Sequence, residues 1–333
     1  TLAREGGLSS ALWAGPEQLS AAMRSGRQPI QGQQRKRPVA LSLGFADEEM
    51  GYAIEFGLPV PGLSVFGRDP EIKRESLWLG PMWRPTTAVL ERKGPVVSLR
   101  ADRGGWAVLT SDLGAQDSVL TQLADPGRAP EVLYLRERIR AWRFYDHFRT
   151  DEAAPARQEQ VGTRTPVLAA DGADLAAALQ TIREIGDAEA LDAAIADAFR
   201  GARLSITEAD GRFGVQLSQE GLLRPLRQAE FSDGTLRYLL LTAALLSPRP
   251  PALMVLNEPE TSLHPDLIPA LARRIAAAAR QTQVWVVAHA PALIEALAAQ
   301  PGSRHLHLVK ELGRTQLEGQ GPLEGPAWAW PGR

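Results

Sequence analysis

The sequence predicts a mixed α/β protein that contains both an antiparallel and a parallel sheet. Between Val39 and Thr110, short apolar or alternating runs are separated by glycine and proline, which is typical of strands joined by hairpins. From Phe231 onward, helical patterns alternate with near-continuous apolar runs. This alternation indicates a parallel sheet that helices cover on both faces. The residues between these two parts have mainly helical spacing, so they are predicted to form an inserted helical region.

The composition is that of an ordinary globular chain. It has 333 residues, of which 44% are hydrophobic and 23% charged, enough for one large domain or two smaller ones. A formal net charge of -2 excludes a globally basic nucleic-acid-binding protein but leaves room for a local basic patch. The chain has no cysteine, which agrees with a reducing compartment, and we expect a cytoplasmic protein. No apolar run approaches the roughly 20 residues of a membrane span, so no membrane partner is predicted.

The N-terminal segment, residues 1–38, is predicted to be a loop-rich remnant of an N-terminal lobe. Glycine, proline, glutamine and arginine are abundant from residue 14 onward, as in exposed loops. The chain begins at Thr1 rather than at a methionine, so we expect a further segment upstream. Residues 39–130 form the predicted antiparallel β region.

Residues 131–225 are predicted to form the helical insert with a hairpin. Apolar residues recur at helical spacing at the start of this region, and one amphipathic helix over Glu131–Phe148 is the simplest account. Two further helical patterns cover residues 175–185 and 191–199. The Asp210-Gly211 pair lies between two alternating runs and predicts a hairpin turn.

Residues 226–312 are predicted to form a C-terminal lobe with a parallel sheet, and residues 313–333 a C-terminal tail. The lobe ends in a predicted hairpin, HLHLVKELGRTQLE. Its other predicted elements are a helix over Thr235–Leu246, a strand over Ala252–Leu256, a helix over Asp266–Arg280, a strand over Val284–Ala288 and a helix over Pro291–Ala299.

Polar residues follow both predicted strands of this lobe. Asn257 and Glu258 come directly after the first strand, and His289 follows the second. Ligands of an open parallel sheet bind beyond the carboxyl ends of its strands, so these side chains are expected to face one ligand. A carboxylate at this position can hold Mg²⁺ through water, and a neighbouring carboxylate can orient or deprotonate an attacking water.

The segment FSDGTLR precedes the first helix of the lobe. Ser232 or Asp233 can cap that helix, and Gly234 lets a ligand approach the backbone. Free N–H groups and the helix dipole then form a site suited to a phosphate. The alternative interpretation of the same residues is an ordinary helix N-cap.

These three segments, in this order, resemble a known family. FSDGTLR is similar to the signature motif of ABC-type ATPases, LMVLNEPETSLHP to their Walker B strand and D-loop, and VVAHAP to their switch-histidine loop. The resemblance is nearest to the RecF- and SMC-like branch of soluble ATPase heads. It implies a P-loop NTPase fold of ABC ATPase type, whose C-terminal parallel-sheet lobe accompanies an antiparallel β region and an inserted helical region. Residues 226–312 would then be the nucleotide-hydrolysis lobe. Over residues 39–230 the sequence is only compatible with that fold.

The resemblance also implies site residues. Glu258 matches the glutamate that polarises the attacking water, and His289 matches the histidine that senses the γ-phosphate. The loop from Glu260 to His264 matches the one that crosses a dimer interface. Ser232 and Gly234 match the signature residues that contact the γ-phosphate of a nucleotide held by the opposite subunit, and Asp233 between them is a further candidate nucleotide-binding residue. The implied active species is a homodimer that closes around ATP and Mg²⁺ and drives a conformational cycle in DNA repair, maintenance or defence, on DNA or a partner protein.

Two departures from the family pattern concern the phosphate and metal sites. Asn257 occupies the position of the Walker B aspartate, so it brings no negative charge to the Mg²⁺ site. No G-x-x-x-x-G-K-[ST] sequence is present in the 333 residues, and we expect that loop upstream of Thr1. These departures keep open a nucleotide-gated scaffold without catalysis. The arginine-rich stretch of the predicted helix over Glu131–Phe148 keeps open a DNA-binding subunit.

Overall fold

A computed structural model describes residues 40–60, 62, 69–101, 104–311 and 314–319. The chain forms two compact units. Among the described residues, one unit contains those from 40 to 140 together with those from 306 to 319, and the other contains residues 141–305. The loop predicted over residues 1–38 lies outside the described residues, and so does the predicted tail beyond residue 319. The division of the chain into five segments stays a prediction.

The first unit is built on a six-stranded antiparallel sheet whose strands follow one another in chain order, so the predicted antiparallel region is confirmed. Two helices pack apolar side chains against this sheet, among them Val119 and Val132. The elements are β1 (Ala40–Ala46), β2 (Met50–Gly57), β3 (Glu71–Leu79), β4 (Ala88–Lys93), β5 (Val96–Arg100), β6 (Trp106–Thr110), α1 (Val119–Gln122) and α2 (Pro130–Ala141).

A buried ion pair lies inside this unit. Glu75 on β3 and Arg92 on β4 are both inaccessible to solvent, and Arg92 Nη1 donates to Glu75 Oε2 at 2.8 Å. Tyr52 also donates its hydroxyl to Glu75, and burial raises the pKa of Tyr52 well above its ordinary value. Buried charges need such partners, since an unpaired one costs several kcal/mol. The network therefore fixes the register of the central strands.

The second unit contains a parallel sheet, an antiparallel sheet and five helices among the described residues. In chain order its elements are β7 (Arg143–Tyr145), β8 (Gln160–Val161), α3 (Leu175–Ile185), α4 (Ala188–Ala198), β9 (Arg203–Ala209), β10 (Arg212–Ser218), β11 (Leu226–Arg227), α5 (Asp233–Leu245), β12 (Leu253–Asn257), α6 (Ile268–Ala278), β13 (Gln283–Val287) and α7 (Pro291–Ala298). The helices and strands predicted between residues 175 and 299 are confirmed, with ends shifted by up to three residues.

The parallel sheet has the strand order β13-β12-β7. Its third strand corrects a prediction, because the single helix over Glu131–Phe148 is wrong in its second half. Helix α2 ends at Ala141, and β7 pairs with β12 so that Tyr145 lies opposite Leu256. The Tyr145 side chain is buried, and its hydroxyl donates to the carbonyl of Leu168 at 2.9 Å. This long-range packing outweighs the helical spacing of the sequence.

The antiparallel sheet of this unit is centred on β10. Strand β9 pairs with β10 along one side, while β8 and β11 pair with the two ends of its other side. The turn between β9 and β10 has positive φ angles at Asp210 (52°) and Gly211 (75°). Such angles suit a two-residue hairpin, and the hairpin predicted at this pair is confirmed.

One face of the parallel sheet packs on the helical core. Met254 and Leu256 point into the same cluster as the buried residues of α5 and α6. The opposite face carries the cross-strand row Phe144, Val255 and Trp285. Phe144 is 51% exposed and Trp285 57% exposed, so within the described residues this face is not covered. The prediction of a sheet covered on both faces stays a prediction.

A hairpin near the C-terminus, β14 (Leu308–Glu311) and β15 (Arg314–Leu317), belongs to the first unit and confirms the last predicted hairpin. Across the described ranges, no helix combines the length and the apolar character that a membrane crossing requires.

Candidate functional site

The chain turns sharply where β12 ends. Asn257 is the last residue of the strand, and Glu258 has a positive φ of 43°, which is uncommon for residues other than glycine. The Glu258 N–H donates to the carbonyl of Val287 at 2.7 Å, so the turn is fastened to the end of β13. Pro259 is buried directly after it. Strained backbone of this kind recurs at functional sites, where it aims a side chain.

The turn brings Glu258 and His289 together. Glu258 Oε1 lies 3.5 Å from His289 Nε2, and their side chains are 47% and 79% exposed. The structure thus places the two polar strand ends side by side, as expected from parallel strands that end at one edge. Both groups are open to solvent, so a ligand can reach them.

Glu260 supports the His289 loop from within the same chain. Its Oε1 accepts the N–H groups of His289 at 2.8 Å and Ala290 at 3.0 Å, directly before α7. A carboxylate at a helix N-terminus pairs with unsatisfied N–H groups and with the positive end of the dipole. Its other oxygen, Oε2, is buried without a hydrogen bond among the described residues. Glu260 therefore fixes the backbone that carries His289.

The segment before α5 forms a helix N-cap. Ser232 Oγ accepts the Thr235 N–H at 3.1 Å, so the cap suggested by the sequence is present. Asp233, in the first turn, is held at 2.8 Å by Arg157. Ser232 and Asp233 are both exposed, which leaves this helix end accessible to a ligand.

Gly234 packs against the turn that follows β12. A Cβ at this position would lie 2.8 Å from the carbonyl oxygen of Ser262. Ser262 itself has a positive φ of 66°. Two of the predicted motifs, FSDG and the loop after Glu258, are thus in backbone contact within one chain.

Two arginines anchor the segment that leads into α5. Arg157, whose side chain is only 10% exposed, donates to the carbonyls of Thr150 at 2.8 Å and Phe231 at 2.6 Å as well as to Asp233. Arg224 forms two hydrogen bonds with Glu230 and lowers the pKa of Glu230 to about 2. No sequence motif indicated the Arg157 anchor, because its partners are mainly backbone carbonyls.

His264 begins a short 3₁₀ turn over Pro265–Leu267. Its Nδ1 accepts the Asp266 N–H at 3.3 Å, and its side chain is 72% exposed. His264 therefore caps this short turn, and its observed contacts are to Asp266 rather than to Glu258. Its predicted part in a dimer interface stays a prediction.

Asp146 is the site residue that the sequence analysis missed. It follows β7 directly, and Asn257 Nδ2 donates to its Oδ1 at 2.8 Å. Nearby, Arg237 of α5 is buried and donates to the carbonyl of Phe148 at 3.0 Å. Burial lowers the pKa of the Arg237 guanidinium from its ordinary value. Strand β7 has three residues and lies within a stretch of helical spacing, so little in the sequence indicated it.

The donor atoms at this sheet edge suit Mg²⁺. In the described part of the chain, no three His, Cys, Asp or Glu side chains gather as a metal-binding group. Mg²⁺ does not require such a cage, since it is usually held by one or two carboxylates together with water and phosphate oxygens. Asp146, Asn257 and Glu258 supply hard oxygen atoms of that kind. The residues present therefore fit Mg²⁺ bound with a phosphate ligand.

A family model matches residues 40–295, a range that contains every residue of this site. The family is described as AAA domain, putative AbiEii toxin, Type IV TA system. The chain belongs to this AAA-domain family. Membership of this family assigns the chain a nucleotide-binding, P-loop ATPase-like fold, as the sequence predicts. The finer RecF- and SMC-like assignment stays a proposal.

Solved structures of SMC heads are also similar to this AAA-domain protein. The SMC head bound to the C-terminal winged-helix domain of ScpA is 11% identical, with a TM-score of 0.43, and covers 94% of this chain and 82% of its own. The Pyrococcus furiosus SMC head bound to the C-terminal domain of ScpA is 11% identical, with a TM-score of 0.40 and coverages of 94% and 83%. The Thermotoga maritima SMC head is 12% identical, with a TM-score of 0.35 and coverages of 73% and 72%. A comparison with curated proteins finds no match.

Proposed function

We propose that this protein binds ATP with Mg²⁺ at the carboxyl edge of its parallel sheet and hydrolyses it as one head of an ATP-dependent homodimer. The observation that carries the proposal is the pairing of Glu258 with His289, 3.5 Å apart at the ends of adjacent parallel strands. Open α/β sheets bind their ligands at this edge.

Glu258 is the proposed general base or water-orienting group. Its turn is fastened to Val287 and buried at Pro259, so the carboxylate projects from a fixed backbone. A positioned carboxylate that accepts a proton from the attacking water accelerates hydrolysis by about 10²- to 10⁴-fold. Its partial exposure allows both water and a phosphate group to approach.

His289 is the proposed contact for the terminal phosphate. It lies beside Glu258, and its backbone is held by Glu260. An imidazole nitrogen in this position can donate a hydrogen bond to a phosphate oxygen while Glu258 engages the water on the other side. The proposed terminal phosphate therefore lies beside both Glu258 and His289.

When bound, Mg²⁺ would neutralise phosphate charge and polarise the bond to the leaving group. The oxygens at the ends of β7 and β12 would hold it, and Asn257 contributes an amide oxygen rather than a carboxylate. ATP and Mg²⁺ are the proposed ligands. The proposed location is the cytoplasm, a reducing compartment that agrees with a sequence without cysteine.

The exposed end of α5 is the proposed contact for a nucleotide held by a second copy. Ser232 and Asp233 face solvent, and Gly234 keeps the backbone compact against Ser262. A helix N-terminus attracts phosphate through free N–H groups and its dipole. The adjacent Glu260–His264 loop is proposed to line the same interface.

A matched pair of cap mutants tests the dimer. Ser232 caps α5, and Asp187 caps α4 through the Ala190 N–H at 2.8 Å, so alanine at either position costs about 0.5–2 kcal/mol of stability. We expect Ser232→Ala to weaken ATP-dependent dimers of the natural protein in sedimentation velocity, while Asp187→Ala leaves them intact. Equal dimerisation by both variants would contradict the proposed in-trans contact.

The proposed cycle serves defence or DNA maintenance. The family description, a putative toxin of a type IV toxin–antitoxin system, supports defence among the roles considered. The target of the cycle is proposed to be DNA or a partner protein.

A nucleotide-gated scaffold without catalysis is the second candidate function. The observation that favours it is Asn257, which places an uncharged amide where a metal-binding carboxylate is expected. This candidate predicts no ATP hydrolysis, whether or not the protein binds ATP. Measuring both binding and phosphate release distinguishes it from the ATPase.

The DNA-binding alternative based on the arginine-rich helix has less support. Arg138 forms ion pairs with Asp47 and Glu49, and Arg140 pairs with Glu137. These acidic partners offset the positive charge of α2. DNA affinity that falls steeply with salt and is lost on replacing Arg138 and Arg140 would restore this alternative.

A further inference from the structure

A small pocket lies in the second unit, between the first turn of α3 and the segment 156–162 that contains β8. Phe213 of β10 and Gln228, directly after β11, complete its lining. About 230 Å³ of space lies between its walls, part of it open to solvent. Its inner part has room for little more than one water molecule, so it suits the polar end of a ligand rather than a whole nucleotide. None of its lining residues belongs to the proposed nucleotide site.

The first turn of α3 brings free backbone donors to this pocket. The first N–H groups of a helix have no acceptor within it, and no side chain caps α3 at Asp174. The Leu175 N–H donates to the carbonyl of Gly172 at 3.2 Å. The N–H groups of Ala176 and Ala177 are left without an acceptor in the described part of the chain. Both alanines are buried and line the pocket.

Gln228 is a second, independent indication of a ligand. Only 4% of the residue is exposed, and its Oε1 accepts the Val215 N–H at 2.6 Å. This bond commits the oxygen end of the amide to β10 and leaves the NH₂ end for the pocket. Within the described ranges that NH₂ group has no hydrogen-bond partner. Because an unsatisfied buried donor costs about 1–3 kcal/mol, a ligand oxygen at this point is favourable.

Asp174 adds an acceptor to these donors. It lines the pocket, and its two carboxylate oxygens lie 3.0 and 3.3 Å from the Ala169 nitrogen, so each keeps a further lone pair. Burial raises the pKa of Asp174, with a smaller contribution from the Asp171 carboxylate. A negatively charged ligand would be repelled by this carboxylate. An uncharged group with both an acceptor and a donor is the better match.

We propose that the pocket binds a small molecule through a primary carboxamide group. The amide oxygen accepts from the two free N–H groups of α3 and from Gln228, while the amide NH₂ donates to Asp174. The positive end of the α3 dipole favours the carbonyl oxygen, and Phe213 supplies an apolar wall. This site goes beyond the proposed ATPase and does not depend on it.

Titration of the ¹⁵N-labelled protein with acetamide, followed by NMR, tests the proposal. Acetamide should shift the N–H resonances of Ala176 and Ala177 and the side-chain NH₂ resonances of Gln228 in a saturable way. Acetate is the matched charged probe, since it replaces the NH₂ group with a second oxygen. At the same pH, concentration and ionic strength it should shift these resonances much less.

Two variants and a control identify the contacts. Gln228→Glu keeps an oxygen for the Val215 N–H but loses the NH₂ donor, so acetamide should bind roughly 10-fold more weakly or worse. Gln219→Glu makes the same change at an exposed position outside the pocket and should leave binding unchanged. Asp174→Asn removes the negative charge, so the affinity for acetate should rise relative to that for acetamide.

Three outcomes would overturn the proposal. The first is the absence of a saturable acetamide shift at Ala176 and Ala177, and the second is equal binding by the Gln228→Glu and Gln219→Glu variants. The third is acetate binding to the native protein as tightly as acetamide. If Gln228→Glu does not fold, the comparison of acetamide with acetate on the native protein and on Asp174→Asn decides the question.

Discussion

The backbone at Gly234 lies against the carbonyl oxygen of Ser262, so close that a Cβ on residue 234 would be 2.8 Å away. This contact joins the first turn of α5 to the loop that follows β12. The N-terminus of α5 and the Glu258 turn are thereby held as one rigid edge. The contact also explains why a glycine, a poor helix former, stands in the first turn of a helix.

Gly234→Ala is expected to destabilise the protein. Alanine in a helix normally gains up to about 1 kcal/mol over glycine. Here the added methyl group meets a backbone atom, and overpacking of that kind costs about 1–3 kcal/mol. Chemical denaturation measures the net sign. Gly127→Ala is the control, because its nearest neighbour would be 3.5 Å away. A stabilised Gly234→Ala protein would show that the close contact is absent in solution.

Glu260→Ala is expected to lower the free energy of unfolding by about 1–2 kcal/mol, because two N–H groups before α7 lose their acceptor. Glu260→Gln keeps an accepting oxygen and loses only the charge, so its cost should be about 0.3–1 kcal/mol. Thermal denaturation compares the two variants. Equal losses would mean that the carboxylate charge, rather than the hydrogen bonds, holds the loop.

Arg157→Met should cost about 2–4 kcal/mol, because it leaves several carbonyl groups beside α5 without their donor. Asp233→Ala removes the exposed partner of the same arginine, and surface pairs contribute at most about 1 kcal/mol. The difference between the two variants, measured by urea denaturation, reports what Arg157 does for the backbone. If Asp233→Ala proved as costly as Arg157→Met, the ion pair would be the main anchor instead.

The two faces of the parallel sheet should respond differently to substitution. Leu256 is fully buried, and Leu256→Ala is expected to cost about 2–5 kcal/mol. Trp285, on the open face, is 57% exposed, so Trp285→Ser should change stability by about 0.5 kcal/mol or less. Both values come from denaturation of the purified protein. A large loss on Trp285→Ser would show that this face is covered in solution.

Much of the fold could be predicted because it follows from local patterns. The near-continuous apolar runs of β12 and β13 indicated neighbouring parallel strands, and Asp210-Gly211 indicated a hairpin turn. Glu258 and His289 could be placed at one sheet edge because parallel strands end on the same side. These features need only neighbouring residues and the geometry of a sheet.

The remaining features depend on contacts between distant residues. Strand β7 has three residues and lies in a stretch with helical spacing, so Asp146 was assigned to a helix and its carboxylate was overlooked. The anchoring by Arg157 depends on carbonyl groups that any residue could supply. The sequence predicts Glu260 at a dimer interface. Its hydrogen bond to the His289 loop within the chain depends on how β12 and β13 pair. A pattern in one sequence contains none of these distances.

The hydrolysis rate of the Glu258→Gln variant tests the central claim most directly. Glutamine has the shape of glutamate but cannot accept a proton, so steady-state phosphate release from ATP and Mg²⁺ should fall by about 10²-fold or more. The variant should still bind a fluorescent ATP analogue, as measured in parallel with the natural protein. Unchanged turnover in this variant would contradict the account, because the residue beside His289 would then have no part in the chemistry.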